Sequence, residues 1–235
     1  MVSLTSILPL ALLVAIGSAA AQVTVHGIVT LSLAGKSQKE SDSSNAVVWL
    51  KAAGGAKAEP AAPGKFEMLQ HKKRFEPHVL AVPAGSTVSF PNLDPFFHNV
   101  FSMFDGKRFD LGLYEAGASH SVTFDRVGVC YIFCNVHPEM SGVVVVLDTP
   151  YHGKTNPAGE YTIRDVPAGR YTLSVWHERG KPEDTSGLTR MVTISPENAT
   201  LAPIRLSDKG QLLVPHKNKY GKDYDSPAPG LIYRK

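Results

Sequence analysis

From Gln22 onward the chain carries no sustained helical apolar repeat, and this restricts its fold more than any other feature. Apolar residues instead alternate with polar ones in short runs. In the first run Val23, Val25, Val29, Leu31 and Leu33 fall on one face, and Thr24, His26, Thr30 and Ser32 fall on the other. Further runs occupy 46–51, 66–70, 78–82, 87–90, 119–124 and 127–134. Residues 143–147 are apolar without a break, which suits a central strand buried on both faces. The 20 Gly and 17 Pro punctuate these runs, as at Pro83-Ala84-Gly85, and favour many short strands over long helices. Strands arriving about every 8–12 residues imply a β-sandwich or barrel.

The organisation expected from this pattern has four parts. Residues 1–21 read as a secretory signal: 7–16 form an apolar stretch of about ten residues, too short to span a bilayer, and Ala19 and Ala21 precede Gln22 as a small-x-small cleavage site. That implies an exported, periplasmic or extracellular protein with no membrane span after cleavage. Residues 22–149 are expected to form a first β domain, with a polar loop at 36–45 and an Ala/Gly/Pro-rich insertion at 52–65. Residues 150–207 carry a second, smaller set of runs at 159–164, 169–177, 188–194 and 199–206, and 208–235 read as a surface-wrapping or frayed tail. The 235 residues, 43% of them hydrophobic, suffice for a real core, and the formal net charge is only +3. No dense Lys/Arg block interleaves with aromatics, which argues against nucleic acid as a partner.

The chemistry concentrates in Tyr131-Ile132-Phe133-Cys134-Asn135-Val136-His137-Pro138-Glu139-Met140, a Cys-x2-His-x2-Met motif directly after a strand. Random placement of 2 Cys, 9 His and 5 Met would produce it roughly 0.002 times in a chain of this length. A thiolate, an imidazole and a thioether suit copper held as both Cu(I) and Cu(II). His98, in Phe96-Phe97-His98-Asn99-Val100, is the natural candidate for a ligand from elsewhere in the chain. A disulfide between Cys130 and Cys134 fails on geometry, because four residues of strand span about 13 Å and bridged Cα atoms lie within about 7 Å. Cys130 shares a face with Cys134 and reads as a core thiol.

The succession Pro83, Gly85, Val88, Phe90, then His98-Asn99-Val100, then the ligand loop, resembles the cupredoxins, with the short loop closest to the amicyanin type. The resemblance implies a Greek-key β-sandwich and one type 1 copper per chain. His98, Cys134 and His137 would form the trigonal plane, with Met140 as a weak axial ligand and Asn99 hydrogen-bonded between the ligand loops behind them. It further implies a one-electron carrier and not an enzyme, with His137 as the solvent-edge port. Phe96, Phe97, Pro138 and the Met103-Phe104 region would form an apolar rim where redox partners dock weakly and transiently. A binuclear copper centre would need both cysteines within the loop, and a copper oxidase would need a second site, yet no His-x-His pair exists. Copper storage or delivery, and a non-metal envelope module, are the competing readings. The segment Gly159-Glu160-Tyr161-Thr162-Ile163 through Val166-Pro167-Ala168-Gly169-Arg170-Tyr171-Thr172-Leu173 resembles the carboxypeptidase regulatory-like (transthyretin-like) β-sandwich.

Overall fold

The structure, a computed structural model, describes residues 22–33, 42–54, 61–103, 107–181, 189–210 and 216–224. The expected signal at 1–21 lies outside the described residues, as do Phe104 and parts of the 36–45 loop, the 52–65 insertion and the tail.

The described residues are all-β, with no helix among them. The strands are β1 (Gln22–Leu33), β2 (Val47–Ala52), β3 (Lys65–Glu67), β4 (Leu69–His71), β5 (Arg74–Glu76), β6 (Val79–Pro83), β7 (Ser86–Pro91), β8 (His98–Ser102) and β9 (Phe109–Tyr114). They continue with β10 (Ser119–Phe124), β11 (Gly128–Phe133), β12 (Ser141–Leu147), β13 (His152–Lys154), β14 (Glu160–Pro167), β15 (Gly169–Trp176), β16 (Arg190–Ile194) and β17 (Ile204–Asp208). Four sheets, ordered β14-β1-β17, β13-β2-β15-β16, β6-β12-β11-β8-β9 and β10-β7-β3, account for all but the small β4-β5 hairpin.

Three apolar cores separate these sheets. The first joins Val23, Val25, Val29 and Leu31 of β1 to Val48 and Leu50 of β2, Tyr161 and Ile163 of β14, and Leu173 of β15. The second joins Val47 and Trp49 of β2 and Trp176 of β15 to Val79 of β6 and Val143, Val145 and Leu147 of β12. The third joins Val144 and Val146 of β12 and Ile132 of β11 to Val88 and Phe90 of β7 and Phe124 of β10. The sheets therefore stack as two sandwiches that share an apolar interface. β12 feeds alternate side chains into two cores, as its unbroken apolar sequence requires. Each such valine contributes about 1.5–3 kcal/mol on burial.

The expected grouping of 22–149 as one unit is corrected by the strand pairing. The early half of β1 pairs antiparallel with β14 and its later half pairs parallel with β17, while β2 pairs with β13 and β15. The first two strands are thus central strands of the sandwich completed by 150–208, and the strands from β3 to β12 lie between its halves in sequence. Alternation shows which face of a strand is apolar; it carries no information about a partner more than a hundred residues away. Two glycines permit this pairing. A Cβ at Gly27 would fall 2.3 Å from the Tyr161 hydroxyl, and Gly159 adopts φ 78° with its Cα face against the Val29 carbonyl. The run expected at 199–206 forms a strand only from Ile204. Before it, 199–201 bridge to His26 alone, and Pro203 has no N–H to extend a ladder.

Candidate metal centre

β8 and β11 pair antiparallel at Phe133↔Phe101, so the chain leaving β11 runs back past the start of β8. That register brings the loop after Phe133 to His98, the first residue of β8. Within the loop, Met140 N–H donates to His137 O at 2.9 Å and Cys134 N–H donates to Met140 O at 3.1 Å, which closes 134–140 into a tight turn. The side chains of His98, Cys134 and His137 converge, with all three ligand atoms within 4.8 Å of one another. Cys134 Sγ lies 3.7 Å from His98 Nδ1 and 3.7 Å from His137 Nδ1.

These separations fit a metal. Metal–thiolate bonds of about 2.3 Å and metal–imidazole bonds of about 2.0–2.1 Å, opened to 120°, place sulfur and nitrogen about 3.8 Å apart. The donors are a thiolate and two imidazole nitrogens, a set for a soft or borderline ion. His98 and Cys134 are fully buried and His137 is half-buried, so His137 is the donor nearest solvent. Burial alone raises the Cys134 thiol, but hydrogen bonds from His137 and His98, and from the backbone N–H groups of Asn99 and Val136, overbalance it and lower the thiol to about 6. A ligand that ionises this readily is prepared for metal.

Asp94, absent from the sequence reading, fixes the His98 ring. Its Oδ2 lies 2.8 Å from His98 Nε2, leaving Nδ1 for the metal side. The same carboxylate accepts the backbone N–H groups of Lys72 and Lys73 at 2.7 and 2.9 Å. Those two lysines make the β4–β5 turn with φ of 52° and 57°, a left-handed pair that the carboxylate supports. Two residues of the basic triplet Lys72-Lys73-Arg74 thus form a turn anchored to Asp94. Desolvation raises the Asp94 carboxyl, but donation from Lys73, His98 and Lys72 holds it below its usual range. For His98, desolvation pulls the ring down while hydrogen bonding to Cys134 and Asp94 raises it above the ordinary histidine value.

Asn99 Oδ1 accepts Asn135 N–H at 3.3 Å, and its Nδ2 donates to Asp110 Oδ1 and Gly112 O. Met140 is buried in the same core as Cys134. Phe96 packs edge-on to His98 and against His137, with ring centroids 5.2 and 5.6 Å apart, while Phe97 and Val136 are exposed. Cys130 is buried in that core with its thiol on Ser102 Oγ, and both cysteines are free. The tail segment 216–224 also reaches the site. Tyr224 donates its hydroxyl proton to Cys134 O at 3.1 Å, and the His216 ring stacks on Phe133. The Asn92-x-Asp94 turn four residues before His98 is the sequence signal that could have revealed Asp94. The tail has no equivalent signal.

No protein-family model matches the chain. It is 33% identical over 99 residues to amicyanin-alpha of Methylorubrum extorquens, a match that covers 40% of this chain and 83% of the relative. Among solved structures, a novel purple cupredoxin from Nitrosopumilus maritimus is 26% identical, covering 34% of this chain and 98% of that one at a TM-score of 0.32. A singly substituted amicyanin in its reduced state is 25% identical, covering 42% of this chain and 99% of that one at a TM-score of 0.33.

Proposed function

Because the chain belongs to the cupredoxin family, we propose that it is an exported carrier of single electrons built on one type 1 copper. The observation that carries this reading is the buried Cys134 sulfur at 3.7 Å from two imidazole nitrogens. His98, Cys134 and His137 would hold the ion, and the thioether of Met140, buried in the same core as Cys134, would complete the donor set. Copper, when bound, supplies the one-electron chemistry. The chain's own residues do the rest. Asp94 orients His98, and Asn99 ties the two ligand segments together. The buried core beneath keeps water from Cys134. Rigid donors suit both oxidation states without rearrangement, which is what rapid electron exchange requires.

His137 is the port, since it is the donor nearest solvent. Phe96 against it and the exposed Phe97 and Val136 form the apolar surface that a redox partner meets in a small, transient interface. Residues 1–21 direct export to the periplasm or beyond. The second sandwich is assigned to the carboxypeptidase regulatory-like type, with β1 and β2 as its first strands.

Repeated reduction and reoxidation in the presence of an excess of Cu(I) chelator tests the carrier reading. A carrier keeps its copper through each cycle. Loss of copper to the chelator at the first reduction would identify a copper-delivery protein instead.

A further inference from the structure

The tail segment 216–224 packs against the ligand loop and the end of β11. His216 lies flat on Phe133, the residue before Cys134, with centroids 3.8 Å apart and planes 17° apart. Its Nε2 is 3.0 Å from the Tyr224 hydroxyl, which in turn donates to Cys134 O at 3.1 Å. The His216 N–H, the Tyr224 O–H and the Cys134 carbonyl thus form one directed chain, in which each bond polarises the next. Lys219 N–H donates to Asn135 Oδ1 at 2.9 Å, and Lys219 Nζ pairs with Asp110 at 2.8 Å. Asp110 accepts from Asn99, whose Oδ1 accepts from Asn135, so the segment grips both ends of the link between the two ligand strands. The segment holds its own shape: Asn218 Oδ1 accepts from Tyr220 N–H and Lys222 N–H, both at 3.0 Å.

We propose that residues 216–224 are a clasp that positions the Cys134–Asn135 segment and raises the reduction potential of the copper held there, with Tyr224 as the positioning residue. The inference rests on the copper reading above. The direction follows from charge. An oxidised site carries one more positive charge than a reduced one. A proton donor on the carbonyl of the thiolate residue withdraws electron density, and a covering segment excludes water; both disfavour the higher charge. A purely structural staple would change stability and leave the potential alone.

The test uses the full chain, Tyr224→Phe, and a chain ending at residue 215. Tyr224→Phe keeps the ring that packs on His216 and removes only the hydroxyl. In copper-loaded protein poised against a fixed redox mediator, Tyr224→Phe shifts the Cu(II)/Cu(I) ratio about threefold toward Cu(II), the size of one modest hydrogen bond. The shortened chain shifts it about tenfold, or about 59 mV for one electron. Ratios equal to the full chain in both variants would overturn the redox role. In copper-free protein the Asn135 amide exchanges its hydrogen at least about tenfold faster in the shortened chain, the loss of roughly 1.4 kcal/mol of local protection. Equal exchange would overturn the clasp itself. A full chain that takes up no copper would refute the copper reading and the redox role with it, while the exchange measurement still decides the clasp.

Discussion

Asp94→Asn is expected to weaken copper binding about 10–100-fold while the fold persists. Asp94 is 4% exposed and serves three donors, His98 Nε2 at 2.8 Å and the Lys72 and Lys73 amides at 2.7 and 2.9 Å. With a metal on Nδ1, Nε2 carries its proton and must donate. An asparagine has one acceptor oxygen. If that oxygen stays on Lys72, the new NH2 faces two N–H groups, and each unpaired buried donor costs about 1–3 kcal/mol. If the amide flips, Lys72 turns to water at the exposed turn and the other two bonds lose their charge assistance, roughly half their strength. Either way His98 is less well oriented by about 1.5–3 kcal/mol, which matches the affinity loss. Competition with a calibrated chelator at fixed pH measures it, and the urea midpoint of the copper-free variant separates orientation from folding. An affinity within about twofold of the parent protein would refute the orienting role.

Glu178→Gln tests the polar link across the sandwich interface. The His78 ring, 2.6 Å from Glu178, is raised above its ordinary value by that hydrogen bond, against desolvation. A raised histidine stabilises fully below its unfolded value of about 6.5 and loses the contribution as pH climbs through the folded value. The stability difference between parent and variant should therefore be full below about pH 6.5 and shrink as pH rises above it in urea titrations; a constant difference would exclude the ion pair. A fragment of residues 150–207 should lack cooperative unfolding by circular dichroism, because it lacks the central strands β1 and β2. A folded fragment would contradict the strand assignment. Cys130→Ala should retain the copper spectrum and lose about 1 kcal/mol of stability through its vacated core position. Loss of copper binding would instead place that thiol at the metal.

Some of this is legible in the sequence for physical reasons. Cys134, His137 and Met140 lie within seven residues, so spacing alone suggests a shared point, and the closed 134–140 turn agrees. The unbroken run in β12 announces burial on both faces. His98 is 36 residues from Cys134, and only the family pattern connects them; strand register then does so directly. Asp94 acts through a turn whose shape no periodicity encodes. The placement of β1 and β2 is hidden from the sequence because alternation is identical whichever sheet a strand joins. The tail reaches Cys134 through isolated side chains spaced by Asn, Lys and Gly, a pattern that resembles any exposed segment.

The most direct test of the central claim is the visible absorption of purified protein reconstituted with one equivalent of Cu(II). A thiolate bound to copper by His98, Cys134 and His137 predicts an intense charge-transfer colour that bleaches on reduction, returns on reoxidation and is absent in Cys134→Ser. Protein that stays colourless with Cu(II), or colour that survives Cys134→Ser, would contradict it.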